Sequence, residues 1–289
     1  MNPKLPYLVS RFGLAWCTTW LFATLLHAEE TPVDRVSVPL RDPALPATVK
    51  AGLKSGGITG KGYDGKEVVV EARVRSRKSS RDEKAEEKGG GSKTIEMSAT
   101  RLTVEEENNV VTIGAGPSDR PIDLTIQVPL KASLNLGCMS EGGIVVEKVE
   151  GEIEASNQNG PVTLTNVAGV VVADARNGTL LVQLSKVTPD KPMSFSTMTG
   201  DIDVTLPVDI RAKVKLETQN GLIRSDFALD REPRQPSVED NRKGGGKYRV
   251  VFDNGVVSTG TINGGGAEIS FKTVNGNIHL RKQSKSKND

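Results

Sequence analysis

Asp201 and Asp203 stand either side of Ile202, and residues two apart in an extended chain project from one face. Two carboxylates on one face are what general acid–base catalysis or a divalent cation would use. The matching outward places in preceding repeats are held by Glu154, Thr163, Val172 and Leu181. No carboxylate pair recurs, so Asp201 and Asp203 read as a solvated pair. Calcium-binding nonapeptide rolls need paired glycines and a regular aspartate in their turns. Here the turns are Ser156-Asn157-Gln158-Asn159-Gly160 and Asp174-Ala175-Arg176-Asn177-Gly178, where Arg176 opposes a cation. His279, between Ile278 and Leu280, belongs on an outer face; beyond His27 there is no second histidine for a zinc site or a catalytic triad. Cys138, between Gly137 and Met139, has no identifiable base and reads as a small buried residue. The glycine runs near Gly89, Gly244 and Gly264 lack the Gly-Lys-Ser/Thr of a phosphate loop. These residues therefore point to no catalytic, cofactor-binding or metal site, and to a chain that is not an enzyme.

The elements that would carry them form a repeat. Glycine returns every nine residues at Gly142, Gly151, Gly160, Gly169 and Gly178. Two residues after each comes Ile144, Ile153, Val162, Val171 or Leu180, and four after comes Val146, Ala155, Leu164, Ala173 or Val182. Period two over so short a span is a strand with one buried face. The corners alternate: Val149-Glu150-Gly151 and Val167-Ala168-Gly169 can tuck a valine inside, whereas Asn159-Gly160 and Asn177-Gly178 supply the positive-φ pair of a tight turn. The unit is thus eighteen residues with two strands, and stacked units bury a continuous aliphatic core.

The flanks extend this pattern. A strand is expected near Val36–Leu40, and Gly56 with Gly65 marks a first coil or a capping hairpin. Leu102 and Val104, a turn at Glu107-Asn108-Asn109, then Val111 and Ile113 read as a hairpin, followed by an alternating strand from Ile122 to Val128. These read as ordinary antiparallel strands, with the coils beginning after Leu136. Lys186–Pro192 reads as an insertion. Beyond it Ile202, Val204 and Leu206, then Ala212, Val214 and Leu216, then Val250-Val251-Phe252, Ile269, Phe271, Ile278 and Leu280 supply further strands. Arg75–Lys93 interleaves basic and acidic residues around Gly89-Gly90-Gly91 and reads as a solvated loop.

At the N-terminus, Lys4 and Arg11 precede an apolar run from Leu14 to Leu26 that ends at His27-Ala28. This is a secretory leader, too short to span a membrane. Lys4 and Arg11 are its only charges, so the rest of the chain balances 36 basic against 36 acidic residues. No basic excess remains to hold nucleic acid. Cys138 is the one cysteine past the leader, which excludes an internal disulfide.

The phased series, carried by Gly151-Glu152-Ile153-Glu154-Ala155, Asn159-Gly160-Pro161-Val162-Thr163-Leu164, Thr199-Gly200-Asp201-Ile202-Asp203-Val204 and Asn275-Gly276-Asn277-Ile278-His279-Leu280, resembles the bacterial putative-adhesin domain. That is a family of secreted or envelope proteins of unknown function built from β-strand repeats. The resemblance spans about Val33 to Lys282, with the Arg75–Lys93 insertion as a departure, and carries no catalytic residues over. The expected fold is all-β: a single elongated β-solenoid or β-roll of stacked two-strand coils of about 18–22 residues, with flanking antiparallel strands and polar loop insertions. The expected organisation is a signal peptide over 1–28, a repeat domain over 29–282 with insertions at 75–93 and 230–247, and a tail over 283–289. The expected function is a non-catalytic adhesion or interaction surface, exported to the periplasm, cell envelope or exterior. Its partner would be an envelope protein or cell-wall component, with no nucleic acid, no cofactor and no transmembrane segment once the leader is gone. A self-associating spacer that stacks end to end, and a polysaccharide-active β-helix enzyme, are the alternatives.

Overall fold

Alternation of apolar and polar residues makes strands, and strands are what the chain forms. The computed structural model describes residues 33–75, 102–116, 120–140, 142–231, 237–240, 242, 248–251 and 256–284, with no α-helix among them. Four strands come first: β1 (Val33–Pro39), β2 (Ala47–Ser55), β3 (Ile58–Tyr63) and β4 (Glu67–Val74). β5 (Leu102–Glu107) and β6 (Val110–Ala115) form the expected hairpin, with Asn108 and Asn109 at φ 53° and 62° supplying its left-handed pair. β7 (Ile122–Pro129), β8 (Ala132–Ser140), β9 (Ile144–Glu147), β10 (Glu150–Asn159), β11 (Val162–Asn177) and β12 (Leu180–Val187) cover the glycine-phased stretch. Then come β13 (Met193–Thr199), β14 (Ile202–Leu206), β15 (Ala212–Asn220), β16 (Ile223–Ser225), β17 (Asp230–Arg231), β18 (Ser237–Asp240), β19 (Tyr248–Val251), β20 (Val256–Ile262), β21 (Ala267–Asn275) and β22 (Ile278–Lys282). Residues 31–289 hold all of these as one compact unit.

The pairing follows the sequence period. Ile153 lies beside Val171, Ile144 beside Val162, and Val162 beside Leu180, each eighteen residues apart and parallel. After the 186–192 insertion the step lengthens to twenty-two, with Ala173 beside Phe195 and Leu180 beside Ile202. Two ladders result. One runs β1-β4-β7-β3-β9-β11-β12-β14-β22-β16, the other β5-β6-β2-β8-β10-β11-β13-β21-β15-β20-β17. They share the sixteen-residue β11, which turns from one to the other at Asn166 and Gly169, both at positive φ. Only β18 and β19 stand apart, as a separate two-stranded sheet.

The parallel ladders are not in chain order at either end. The rung β2–β3 lies between the rungs β6–β7 and β8–β9, and the rung β21–β22 lies between β13–β14 and β15–β16. An early segment and a late segment are each stitched one rung inward, so neither terminal rung rests on its sequence neighbour.

Inward positions fill the interior. Ile153, Val162, Val171 and Leu180 are all buried, as are the corner valines Val149 and Val167, and each such side chain contributes about 1.5–3 kcal/mol by leaving water. Phe195 and Phe271, neighbours on β13 and β21, stack with ring centroids 5.2 Å apart.

Several expectations are corrected. The Asn-Gly corners are not left-handed pairs, since Asn159 and Asn177 end ordinary strands. Their glycines are needed for contact: a Cβ on Gly178 would sit 2.2 Å from the carbonyl oxygen of Gly160, its neighbour one rung away. Gly65 is no coil corner, and β3 and β4 are no hairpin, because β7 lies between them, parallel to β3 and antiparallel to β4. The ladders therefore begin well before Leu136. Val250 and Val251 pair with β18 outside the main sheet, so the 230–247 stretch holds strand as well as loop. The 75–93 insertion past Arg75, the leader and most of the tail lie outside the described residues.

One feature of the interior has no counterpart in the expectations. A column of buried polar side chains runs up one edge of the core, each bonding the corner glycine of the adjacent rung. Asn157 Nδ2 donates to Gly142 O at 2.9 Å, Thr197 Oγ1 to Gly178 O at 3.2 Å, Thr273 Oγ1 to Gly200 O at 3.2 Å and Thr218 Oγ1 to Gly276 O at 2.9 Å. Cys138 Sγ donates likewise to Gly56 O at 2.9 Å. The column tethers strand ends to corners that aliphatic packing alone would leave unsatisfied.

Candidate functional site

The alternation that sends Ile153 and Val171 inward sends Glu154 and Val172 outward, and on the other ladder Thr163 and Leu181. Val172 and Leu181 are 44% and 47% exposed. Val172 sits in register between Glu154 and Ser194, and Leu181 between Thr163 and Asp203, so each ladder presents an apolar side chain among polar ones.

Asp201 and Asp203 have separate partners. β14 starts only at Ile202, which leaves Asp201 in the corner, where its Oδ1 accepts from the Asn277 backbone N–H at 2.7 Å and from Asn277 Nδ2 at 3.2 Å. Asp203 faces outward from β14 and is clamped by Arg281, with Nε 2.8 Å and 3.0 Å from its two oxygens and Nη2 2.7 Å from Oδ2. That contact pushes the Arg281 guanidinium further above its ordinary value. His279, on the outward face as expected, has Nδ1 3.8 Å from Asp203 Oδ2. A carboxylate whose oxygens are both taken by a guanidinium is a poor candidate for a general base.

Cys138 is buried, and its burial pushes the thiol up from its usual range, away from the thiolate a nucleophile needs. Among the described residues no three His, Cys, Asp or Glu side chains are placed to hold a metal ion. No helix among them is long and apolar enough to cross a membrane.

Concave surface appears where the repeat is interrupted. At the corner opposite the Asn-Gly turns, β11 turns within residues 166–169, but the next rung takes residues 186–192 to do the same. Residues of that longer stretch line two depressions. One, of about 570 Å³, runs over Gly151 and Gly169 between Val170 and Val187, with Lys131 and Glu150 at its rim. The other, of about 820 Å³, has Met193, Ile210 and Ile269 at its base and Lys186, Arg211 and Asp209 around it. An ion pair from Lys191 to Glu152 straps the stretch across the first depression. The sequence marked 186–192 as an insertion; that it would frame two grooves follows only from the stacking of its neighbours.

No family model and no curated protein matches the chain. Solved structures do resemble it at low identity. A protein from Clostridium sporogenes described as a putative cell adhesion protein superposes with a TM-score of 0.42 at 11% identity, over 88% of this chain and 100% of that one. One from Bacteroides fragilis described as a putative adhesin gives 0.31 at 9%, over 88% and 98%. One from Parabacteroides distasonis described as a putative lipid binding protein gives 0.28 at 11%, over 87% and 97%. Two of these three are described in terms of adhesion and one in terms of lipid binding.

Proposed function

We propose that the chain is an exported, non-catalytic contact protein: a leader over residues 1–28 followed by a β-solenoid whose outer surface docks an envelope protein or cell-wall component. The observation that carries this reading is the pair of grooves framing residues 186–192, with exposed Val172 two residues along β11 from Val170, which lines the first groove. Apolar side chains at an accessible site surrounded by charge suit docking, and the carboxylate and thiol with most claim to chemistry are both engaged, Asp203 by Arg281 and Cys138 by Gly56. Balanced charge argues against nucleic acid as the partner.

The test compares capture from an envelope extract by the wild-type protein and by Val172→Glu/Lys186→Glu. Both positions are exposed, so the fold should survive, as unchanged circular dichroism would confirm. Loss of a partner held by the wild type supports the reading. Recovery of the same partner at the same yield removes this surface from it.

A further inference from the structure

Four rungs turn the same corner on Asn-Gly: Asn159-Gly160, Asn177-Gly178, Asn275-Gly276 and Asn220-Gly221. In register they form one column, with Asn159 beside Asn177, Asn177 beside Thr199, Thr199 beside Asn275 and Asn275 beside Asn220. A glycine nitrogen reaches the preceding side-chain amide easily, because no Cβ crowds the approach. Asparagine is thermolabile for this reason wherever the backbone is free to turn.

Solvent and side-chain contacts do not separate the four corners. All four asparagines are exposed. Asn159 Nδ2 donates to Met139 O at 3.0 Å, Asn177 Nδ2 to Asn159 Oδ1 at 3.1 Å and Asn220 Nδ2 to Asn275 Oδ1 at 2.8 Å. Asn263-Gly264, in the turn between β20 and β21, lies off the column, and its Nδ2 is anchored on Val208 O and Ile210 O.

The glycine N–H does separate them. At each inner corner it donates to the carbonyl of the rung that follows in the stack: Gly160 N to Asn177 O at 3.0 Å, Gly178 N to Thr199 O at 2.9 Å and Gly276 N to Asn220 O at 3.0 Å. Gly221 turns the terminal rung β15–β16, which has no parallel rung beyond it. β20 lies on the far side of β15, but it runs antiparallel and its register ends at Thr218 beside Val256, short of Asn220. Among the described residues no carbonyl accepts from Gly221 N–H.

We infer that Asn220 is a site of self-modification, converting to aspartate and isoaspartate while the inner corners of the column stay intact. Gly221 N gives its proton to solvent base and bonds to Asn220 Cγ; the Cγ–Nδ2 bond breaks, and ammonia leaves with a proton taken from water. Water then adds to either carbonyl of the succinimide and opens it to an α- or β-linked aspartyl residue. The product sets a carboxylate where Nδ2 had donated to Asn275. The β-linked form also lengthens the main chain by a methylene. An inner corner could not absorb that without slipping against a rung on either side, whereas among the described residues the terminal corner has a parallel rung on one side alone. The inference rests on the stacked ladders and not on the groove contact, and each can fail without the other.

Peptide mapping by mass spectrometry tests it, on the folded protein held in mildly alkaline buffer and on a parallel sample in urea. In the folded protein Asn220 should convert at least about tenfold faster than Asn159, Asn177 or Asn275, because an inner corner reacts only while its rung is open. In urea the four rates should draw together, which places the origin of the order in the fold and not in the flanking sequence. Equal rates at the four corners of the folded protein, a faster corner among the other three, an Asn220 that keeps its amide, or the same order in urea overturns the proposal.

Discussion

The side-chain amide of Asn157 lies 2.9 Å from the carbonyl oxygen of Gly142, one rung away. It is fully buried, and it joins the end of β10 to the corner that precedes β9. The same bond recurs at Thr197, Thr273 and Thr218, which makes it a property of the stack and not of one turn. Ala175 interrupts the column, with no donor to offer Gly160. Asn157→Ala should cost about 1–3 kcal/mol by orphaning a buried acceptor, while Ala175→Ser should add up to about 1 kcal/mol. Urea unfolding of both variants checks the two signs.

Glycine should matter by position. Gly178→Ala drives a Cβ to 2.2 Å from Gly160 O and should cost about 3 kcal/mol. Gly52 faces open space at ordinary φ in the middle of β2, so Gly52→Ala should be neutral or stabilise by about 0.5–1 kcal/mol. Thermal unfolding of the pair separates close approach from backbone freedom.

How much of this was legible follows from what each signal encodes. The nine-residue rhythm fixed which aliphatics face inward, because side-chain direction is a local consequence of strand geometry; Ile153, Val162, Val171 and Leu180 all lie as expected. The hairpin at Asn108-Asn109 was equally local. The polar column was not visible, since Asn157 and Thr197 near a turn look like solvated residues until the neighbouring corner is placed. Nor was the interleaving of β21–β22, because a repeat says what a rung looks like and not which rung it touches. Nor were the separate partners of Asp201 and Asp203 visible, because Asn277 and Arg281 come beside them only once β22 is placed against β14.

Interleaving has a stability consequence. β15 and β16 reach the rest of the parallel ladders through β21 and β22, so ending the chain after Gly266 should free both strands. Hydrogen exchange should then show lost protection across residues 212–225 with protection retained in β8–β12. In the intact chain Phe271→Ala, which empties the stacking partner of Phe195, should cost about 3–5 kcal/mol.

Cys138 sets a pH dependence. Burial raises its pKa from an ordinary value near 9.0, so the folded state holds the thiol proton more tightly than the unfolded state. Its contribution is fully present below about pH 9 and is lost as pH climbs through the raised value. Stability of the wild type should therefore fall more between pH 8 and about 10.5 than that of Cys138→Ser, which keeps a donor for Gly56 but does not titrate there. Equal losses in urea midpoint would remove the thiol from the effect.

The central claim is that residues eighteen apart stack side by side while residues nine apart lie on different ladders. Parallel neighbours stand about 4.8 Å apart, within the Cα range a disulfide spans. In residues 31–289 carrying Cys138→Ser, the pair Thr163→Cys/Leu181→Cys should oxidise readily and the pair Thr163→Cys/Val172→Cys should not. Rapid bridging of the nine-residue pair, or none in the eighteen-residue pair, would contradict the stacked ladders and the contact surface built on them.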